Sequence, residues 1–207
     1  MIQLTFRLQE KNKRRYSVFL EDCYLFSISR STYEKLAGSD GTVWVENIEA
    51  FQKACQEADQ YHYCLWLLSR RAYSSEEIRR KLLEKHYSEE IADAILQKLT
   101  EEKLLCDEDY RDQFVRSRQI YGKQGFYKIR QDLMRRGISL SLQEYDREAE
   151  LANLRELVRN FLDKKTDPQK IIRRLENRGY RFSDILSCIK ELSAQDVDLI
   201  CEETDYD

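Results

Sequence analysis

A mainly α fold of tandem three-helix repeats, preceded by a small antiparallel β-sheet and a short helix, is predicted by three features of this sequence. Three stretches copy one helical unit: Ile78-Arg-Arg-Lys-Leu82-Leu-Glu-Lys85-His86, Ile129-Arg-Gln-Asp-Leu133-Met-Arg-Arg136-Gly137 and Ile171-Ile-Arg-Arg-Leu175-Glu-Asn-Arg178-Gly179, starting 51 and then 42 residues apart. A recurrence of that period signals stacked helical units, whose function lies on a surface rather than in a closed pocket. The first thirty residues differ in texture, alternating apolar and polar with the period of two that a strand requires. One proline and six glycines in 207 residues leave little material for long loops, and a charged fraction of 35% suits helices with one wet face.

Taken in chain order, Leu4, Phe6 and Leu8, then Tyr16, Val18 and Leu20, then Tyr24, Phe26 and Ile28 predict strands, with Glu21-Asp22 as a tight turn. Ser31-Thr-Tyr-Glu34 has the capping-box spacing and predicts a short helix stopping at Gly38, followed by a turn through Ser39-Asp-Gly-Thr42. From about Glu46, Phe51, Cys55, Ala58, Tyr61, Leu65 and Leu68 recur at three and four and give a long helix up to Arg70-Arg71. Ser74-Ser-Glu-Glu77 is a second capping box and opens the helix carrying the first signature. His86-Tyr-Ser88 breaks that helix, and Ile91, Ile95 and Leu99 mark a third, so one unit is three helices.

The second unit opens near Asp107, where Glu108 and Asp109 suit a helix N-terminus, and Gly122 and Gly125 separate its first helix from the one carrying Ile129. A weaker helical stretch through Leu142 and Tyr145 follows. The third unit has Leu151, Leu154, Val158 and Phe161 on its opening helix, a middle helix started by Asp167-Pro168, and Ile185, Ile189 and Leu192 on its last. The expected segments are therefore a β-rich domain at 1–45, repeats at 46–106, 107–147 and 148–194, and an acidic tail at 195–207 that frays after Leu192.

Net charge is −3, but Ser193 to Asp207 holds six acids and no base, and the chain without it is net positive. Between Arg111 and Arg136, eight bases face only Asp112 and Asp132. Six cysteines without a Cys-x-x-Cys spacing and two histidines argue against a zinc site, and no cofactor is expected. The chain begins Met1-Ile-Gln-Leu-Thr-Phe without a basic-then-apolar leader, and no run approaches the roughly 18 apolar residues of a membrane span. The expectation is a cytoplasmic protein with free, mostly buried thiols and no membrane contact.

The repeated Ile and Leu fall on one helix face and are core. The base at Lys85, Arg136 and Arg178 has two readings of about equal weight, binding or favourable interaction with the dipole at a helix C-terminus. The neighbouring bases favour binding over solvation because acids are scarce around them, which suits a phosphate backbone or an acidic protein surface. No phosphate-cradling glycine loop, Ser/His/Asp set or metal triad is present, so an enzyme is not expected. His86 stands where the other copies have Gly137 and Gly179, and is read as a cap rather than a ligand. Tyr121, Phe126 and Tyr127, beside the Gly-Lys-Gln-Gly linker, either stack on bases or plug the seam between two units.

The same residues carry a family resemblance. Leu67-Leu-Ser-Arg70-Arg71, Ser75-Glu-Glu-Ile-Arg-Arg-Lys-Leu82, Leu104-Leu-Cys-Asp107-Glu-Asp-Tyr110 and Gly125-Phe-Tyr-Lys-Ile129-Arg-Gln-Asp-Leu133 with Arg136-Gly137-Ile138 resemble the bacterial RecX family of recombination regulators. The likeness runs from about Ala58 to Gly137 and more loosely through Ile171 to Gly179; Lys13-Arg-Arg-Tyr-Ser-Val-Phe-Leu20 resembles the extra segment of longer Gram-positive members. The sequence departs from the family at Cys106, Arg111 and His86, where aspartate, alanine and glycine are usual.

The resemblance implies an elongated, curved array lying along the groove of a RecA filament on single-stranded DNA, and inhibition of the recombinase, ATPase and coprotease activities of RecA. On that reading the chain is a monomer that binds filament or DNA through Arg70, Arg71, Arg79, Arg80, Arg116, Lys123, Lys128, Arg130 and Arg135. The alternatives are a helical adaptor gripping an acidic or amphipathic protein segment, and a sequence-independent DNA-binding protein, without action on RecA.

Overall fold

The computed structural model describes residues 1–38 and 40–203, with side chains described as far as Ser193. They form two compact units, Met1–Leu105 and Cys106–Asp207.

The first unit begins with four strands, β1 (Ile2–Leu8), β2 (Arg15–Leu20), β3 (Cys23–Ser29) and β4 (Thr42–Val45), in the order β3-β2-β1-β4. All neighbours are antiparallel, with Phe6 opposite Val18, Leu4 opposite Val43 and Val18 opposite Phe26. Glu21 adopts φ 55 in the β2–β3 turn, as the acidic pair predicted. The expected turn at 39–42 is shorter than predicted: Gly41 turns the chain with φ 72, and Thr42 already pairs with β1.

Helix α1 (Arg30–Leu36) corrects a second expectation. Its N-cap is Ser29, whose hydroxyl accepts from the Thr32 amide, whereas Glu34 pairs with Arg30 instead of closing a box with Ser31. The carboxylate of Asp59 fixes this corner from α2 (Ile48–Leu68), accepting the Ser29 amide at 2.9 and 3.0 Å and the Thr32 hydroxyl.

Helix α2 serves two cores. Its first half gives Phe51 and Cys55 to the sheet core of Leu4, Val18, Ile28 and Val45; its second half gives Cys64 and Leu67 to the first repeat. The boundary expected at 45/46 therefore cuts a continuous core. Helices α3 (Ser75–Leu83) and α4 (Glu89–Glu101) complete the repeat around Ile78, Leu82, Ile95 and Leu99. The predicted capping box at Ser74 is present in both directions.

The second unit comprises α5 (Asp107–Ile120), α6 (Phe126–Met134), a single 3₁₀ turn (Leu142–Glu144), α7 (Arg147–Asp163), α8 (Pro168–Asn177) and α9 (Phe182–Glu203). The third helix of the second repeat is thus only one turn, and Tyr145 after it plugs the core of Phe126, Ile129 and Leu133. The backbone of α9 stays helical to Glu203, past the Leu192 where fraying was expected; the side chains of 194–203 and all of 204–207 lie outside the described residues.

The second and third repeats meet backbone to backbone. Gly125 donates its N–H to the Arg178 carbonyl at 2.8 Å, and Tyr127 donates to the Gly179 carbonyl at 3.2 Å. A Cβ on Gly125 would lie 2.4 Å from the Gly179 oxygen, so only glycine permits the approach. Glu150, fully buried on α7, accepts the Phe126 amide at 2.7 Å and holds Arg147, which reaches Asp184 on α9.

Candidate functional site

The three signature helices α3, α6 and α8 bury their Ile and Leu columns completely: Ile78 and Leu82, Ile129 and Leu133, Ile171 and Leu175 are all 0% exposed. Burying each such side chain contributes about 1.5–3 kcal/mol. Each helix then ends on a residue of positive φ, His86 at 62°, Gly137 at 75° and Gly179 at 88°, so His86 is the cap residue that its column predicted.

The shared base before that cap has structural work in every copy. The Lys85 ammonium lies 3.9 Å from the ring centroid of Tyr63 on α2, and the Arg136 guanidinium 4.8 Å from that of Phe114 on α5, the opening helix of its own repeat. Arg136 also donates to the Asp132 carbonyl, and Arg178 to the Gly122 carbonyl at 3.2 Å. These contacts tie the end of each middle helix to the preceding segment, which favours the structural reading of the column.

The nine residues named from sequence divide by what holds them. Arg71 pairs with Glu77 at 3.1 Å and covers the Tyr73 ring at 3.6 Å; Arg79 pairs with Asp93 from α4 and approaches Glu76; Arg80 faces Glu76 at 3.8 Å. Lys123, in the Gly-Lys-Gln-Gly linker, pairs with Glu156 of α7, and its carbonyl accepts the Tyr180 hydroxyl at 2.9 Å. The linker is the seam to the third repeat, with Phe126 buried as a plug.

The remaining five are less constrained. Arg70 lies over the Trp66 ring at 4.5 Å. Lys128 and Arg135 share one carboxylate, Asp132, each at 3.6 Å. Arg116 and Arg130 are exposed and make no ion pair among the described residues.

Helix α6 therefore presents an open face. Tyr127, Arg130, Gln131 and Met134 follow the i, i+3, i+4, i+7 spacing and all are exposed, Met134 at 62%. Arg135 and Lys128 flank this stripe, and Asp132 is the sole acid of the helix. On the same unit a groove of about 790 Å³ opens between α5 and α7, floored by Val115, Ala149 and Ala152, with Arg116 and Ile120 among its lining residues. Counting local charge cannot find such a groove, because Ala149, Ala152 and Asn153 of α7 join it from about thirty residues away. Among the described residues no His, Cys, Asp and Glu cluster has metal-binding arrangement, and no helix is long and apolar enough to cross a membrane.

Residues 61–99, which span the end of α2 with α3 and α4, match the family model described as RecX, first three-helix domain. A regulatory protein RecX of Mycobacterium sp. (strain JLS) is 34% identical over 149 residues, covering 65% of this chain and 81% of that one. Its counterpart in Streptococcus pneumoniae (strain Hungary19A-6) is 28% identical over 199 residues, 90% of this chain and 76% of that one. A crystal structure of regulatory protein RecX superposes with a TM-score of 0.63 at 27% identity, over 92% of this chain and 100% of the other. The structure of RecX from Lactobacillus salivarius, at 22% identity, shares the fold with a TM-score of 0.62 over 68% of this chain and 99% of the other.

Proposed function

This chain belongs to the RecX family of regulatory proteins, and on that premise we propose that it modulates RecA by binding the RecA filament on single-stranded DNA and limiting filament growth. The reading extends to the activities that depend on the filament, ATP hydrolysis, strand exchange and coprotease action, and needs no covalent chemistry from this chain. It describes a monomer in the filament groove, working in the cytoplasm.

The observation that carries the reading at residue level is the open face of α6. A helix with Lys128 and Arg130 against its one acid, Arg135 at its C-cap, and an exposed tyrosine and methionine on the same face, suits a surface combining acidic side chains or phosphates with apolar contact. Arg116, Lys128, Arg130 and Arg135 are the proposed contact residues, with Arg70 and Arg80 adding charge from the first repeat. Arg71, Arg79 and Lys123 act mainly by positioning, because each is paired with an acid from another element of its unit, whereas Arg80, Lys128 and Arg135 meet theirs at 3.6–3.8 Å along their own helices.

RecA filament assembly on single-stranded DNA, followed with and without this protein across a salt series, tests the proposal. Slower growth or faster loss of filaments, weakening as salt rises, is the expected outcome. Undiminished assembly, ATP hydrolysis and strand exchange with excess protein would refute it. Tighter binding to DNA-assembled RecA than to free RecA or bare DNA separates this function from a simple adaptor or DNA binder.

A further inference from the structure

We propose that the face of the first repeat carrying Tyr63, Trp66 and Arg70 is a stacking site for the bases of single-stranded nucleic acid. This deepens the proposed function by giving the DNA strand a direct partner on this chain, and it rests on that reading only for its setting.

Trp66 is 51% exposed and belongs to neither buried core of its unit, an unusual position for the largest apolar side chain. Tyr63, one turn earlier on α2, lies nearly parallel to it, with centroids 6.1 Å apart and planes 19° apart. Cations sit on these rings: the Arg70 guanidinium 4.5 Å from the Trp66 centroid and the Lys85 ammonium 3.9 Å from that of Tyr63. Tyr73, packed on the same core, is covered by Arg71 at 3.6 Å and approached by Lys81 at 5.9 Å.

Arg70, Lys81 and Lys85 make no ion pair among the described residues, so this charge is not spent within the unit. Flat rings interleaved with unneutralised cations match a ligand that alternates flat bases with phosphates, more closely than they match an aliphatic protein surface. A base entering over the indole stacks on it while Arg70 moves onto the adjoining phosphate. Stacking is blind to sequence and needs unpaired bases, which a duplex does not offer. Trp66 in the last turn of α2 and Arg70 four residues on, just past its C-cap, are the signal in the sequence that marks this site.

The chain has two tryptophans, so Trp44→Phe leaves Trp66 as the only indole. In that full-length background, titration with oligothymidine should quench Trp66 emission saturably, with a midpoint that weakens as salt rises. Trp66→Ala should lower affinity for the same oligonucleotide about tenfold, and Trp66→Phe should retain most of it. Absence of quenching, equal quenching by a duplex of the same length, or unchanged affinity of Trp66→Ala would overturn the proposal. So would emission that responds to free RecA but not to the oligonucleotide, which would make the face a protein-docking surface. Filament growth measured with the same variants separates the two ideas. Quenching without any effect on filaments removes the proposed function and leaves this site standing, whereas an effect on filaments without quenching does the reverse.

Discussion

Arg79 and Arg130 occupy the same column of the repeat, one residue after a fully buried isoleucine, yet their surroundings differ. Arg79 is held by Asp93 from α4 and flanked by Glu76 from its own first turn, whereas Arg130 meets no acid among the described residues. Glu76 and Tyr127 share the column three residues earlier, so the first repeat neutralises this base where the second leaves a ring and a cation without an acid. A common backbone built by identical Ile and Leu columns thus carries two surfaces. The second repeat presents charge on α6, and the first presents cations on rings of α2.

The largest effect should come from the joint that supports the second repeat. Gly125→Ala would place a methyl 2.4 Å from the Gly179 oxygen and 2.7 Å from the Tyr180 nitrogen, both backbone atoms that cannot yield alone. Overpacking of this kind costs about 1–3 kcal/mol. Thermal unfolding of the second unit should move down by about 5 °C or more. An unchanged midpoint would mean that the second and third repeats do not depend on this contact, and the α6 face would then be supported by its own repeat only.

Next in size is Glu150→Ala, which leaves the buried Phe126 amide without its acceptor and Arg147 with Asp184 alone. Leaving such a donor unsatisfied costs about 1–3 kcal/mol, readable by urea denaturation. Filament binding should fall together with the stability of α6 and recover when the temperature is lowered.

Paired substitutions test the comparison directly. Arg130→Ala should weaken filament association about three- to tenfold while barely moving stability, since an exposed cation without a partner contributes little to folding. Arg79→Ala should do the opposite, removing a surface pair worth less than about 1 kcal/mol and leaving association nearly unchanged. Equal losses of association in the two variants would break the division between a binding and a positioning base.

Which parts of this were readable from the sequence follows from the range of the interactions. The Ile and Leu columns, the Ser74 box and the cap role of His86 depend on residues within one or two turns, and local spacing exposes them. Strand β4 has four residues and gains its identity by pairing with β1 some forty residues earlier, so in the sequence Thr42 reads as the end of a turn and Val43-Trp-Val45 carries no strand signal of its own. Charge balance is hidden from the sequence for the same reason. The acids that neutralise Arg79 and Lys123 arrive from α4 and α7, and a local count of bases between Arg111 and Arg136 cannot include Glu144 or Glu156.

The smallest expected effect isolates architecture from binding. His86 holds φ 62, a conformation that disfavours side chains with a Cβ by about 1–2 kcal/mol, and its two counterparts are glycines. Glycine removes that cost but gains freedom in the unfolded chain, which returns roughly 0.5–1 kcal/mol of the benefit. His86→Gly should therefore stabilise the first unit by about 0.5 kcal/mol, a rise of a few degrees in its midpoint. Filament association should not change, because His86 acts through its backbone conformation at the cap. A fall in association with the midpoint raised would assign the imidazole to the binding surface and make the first repeat depart from the other two in function as well as in sequence.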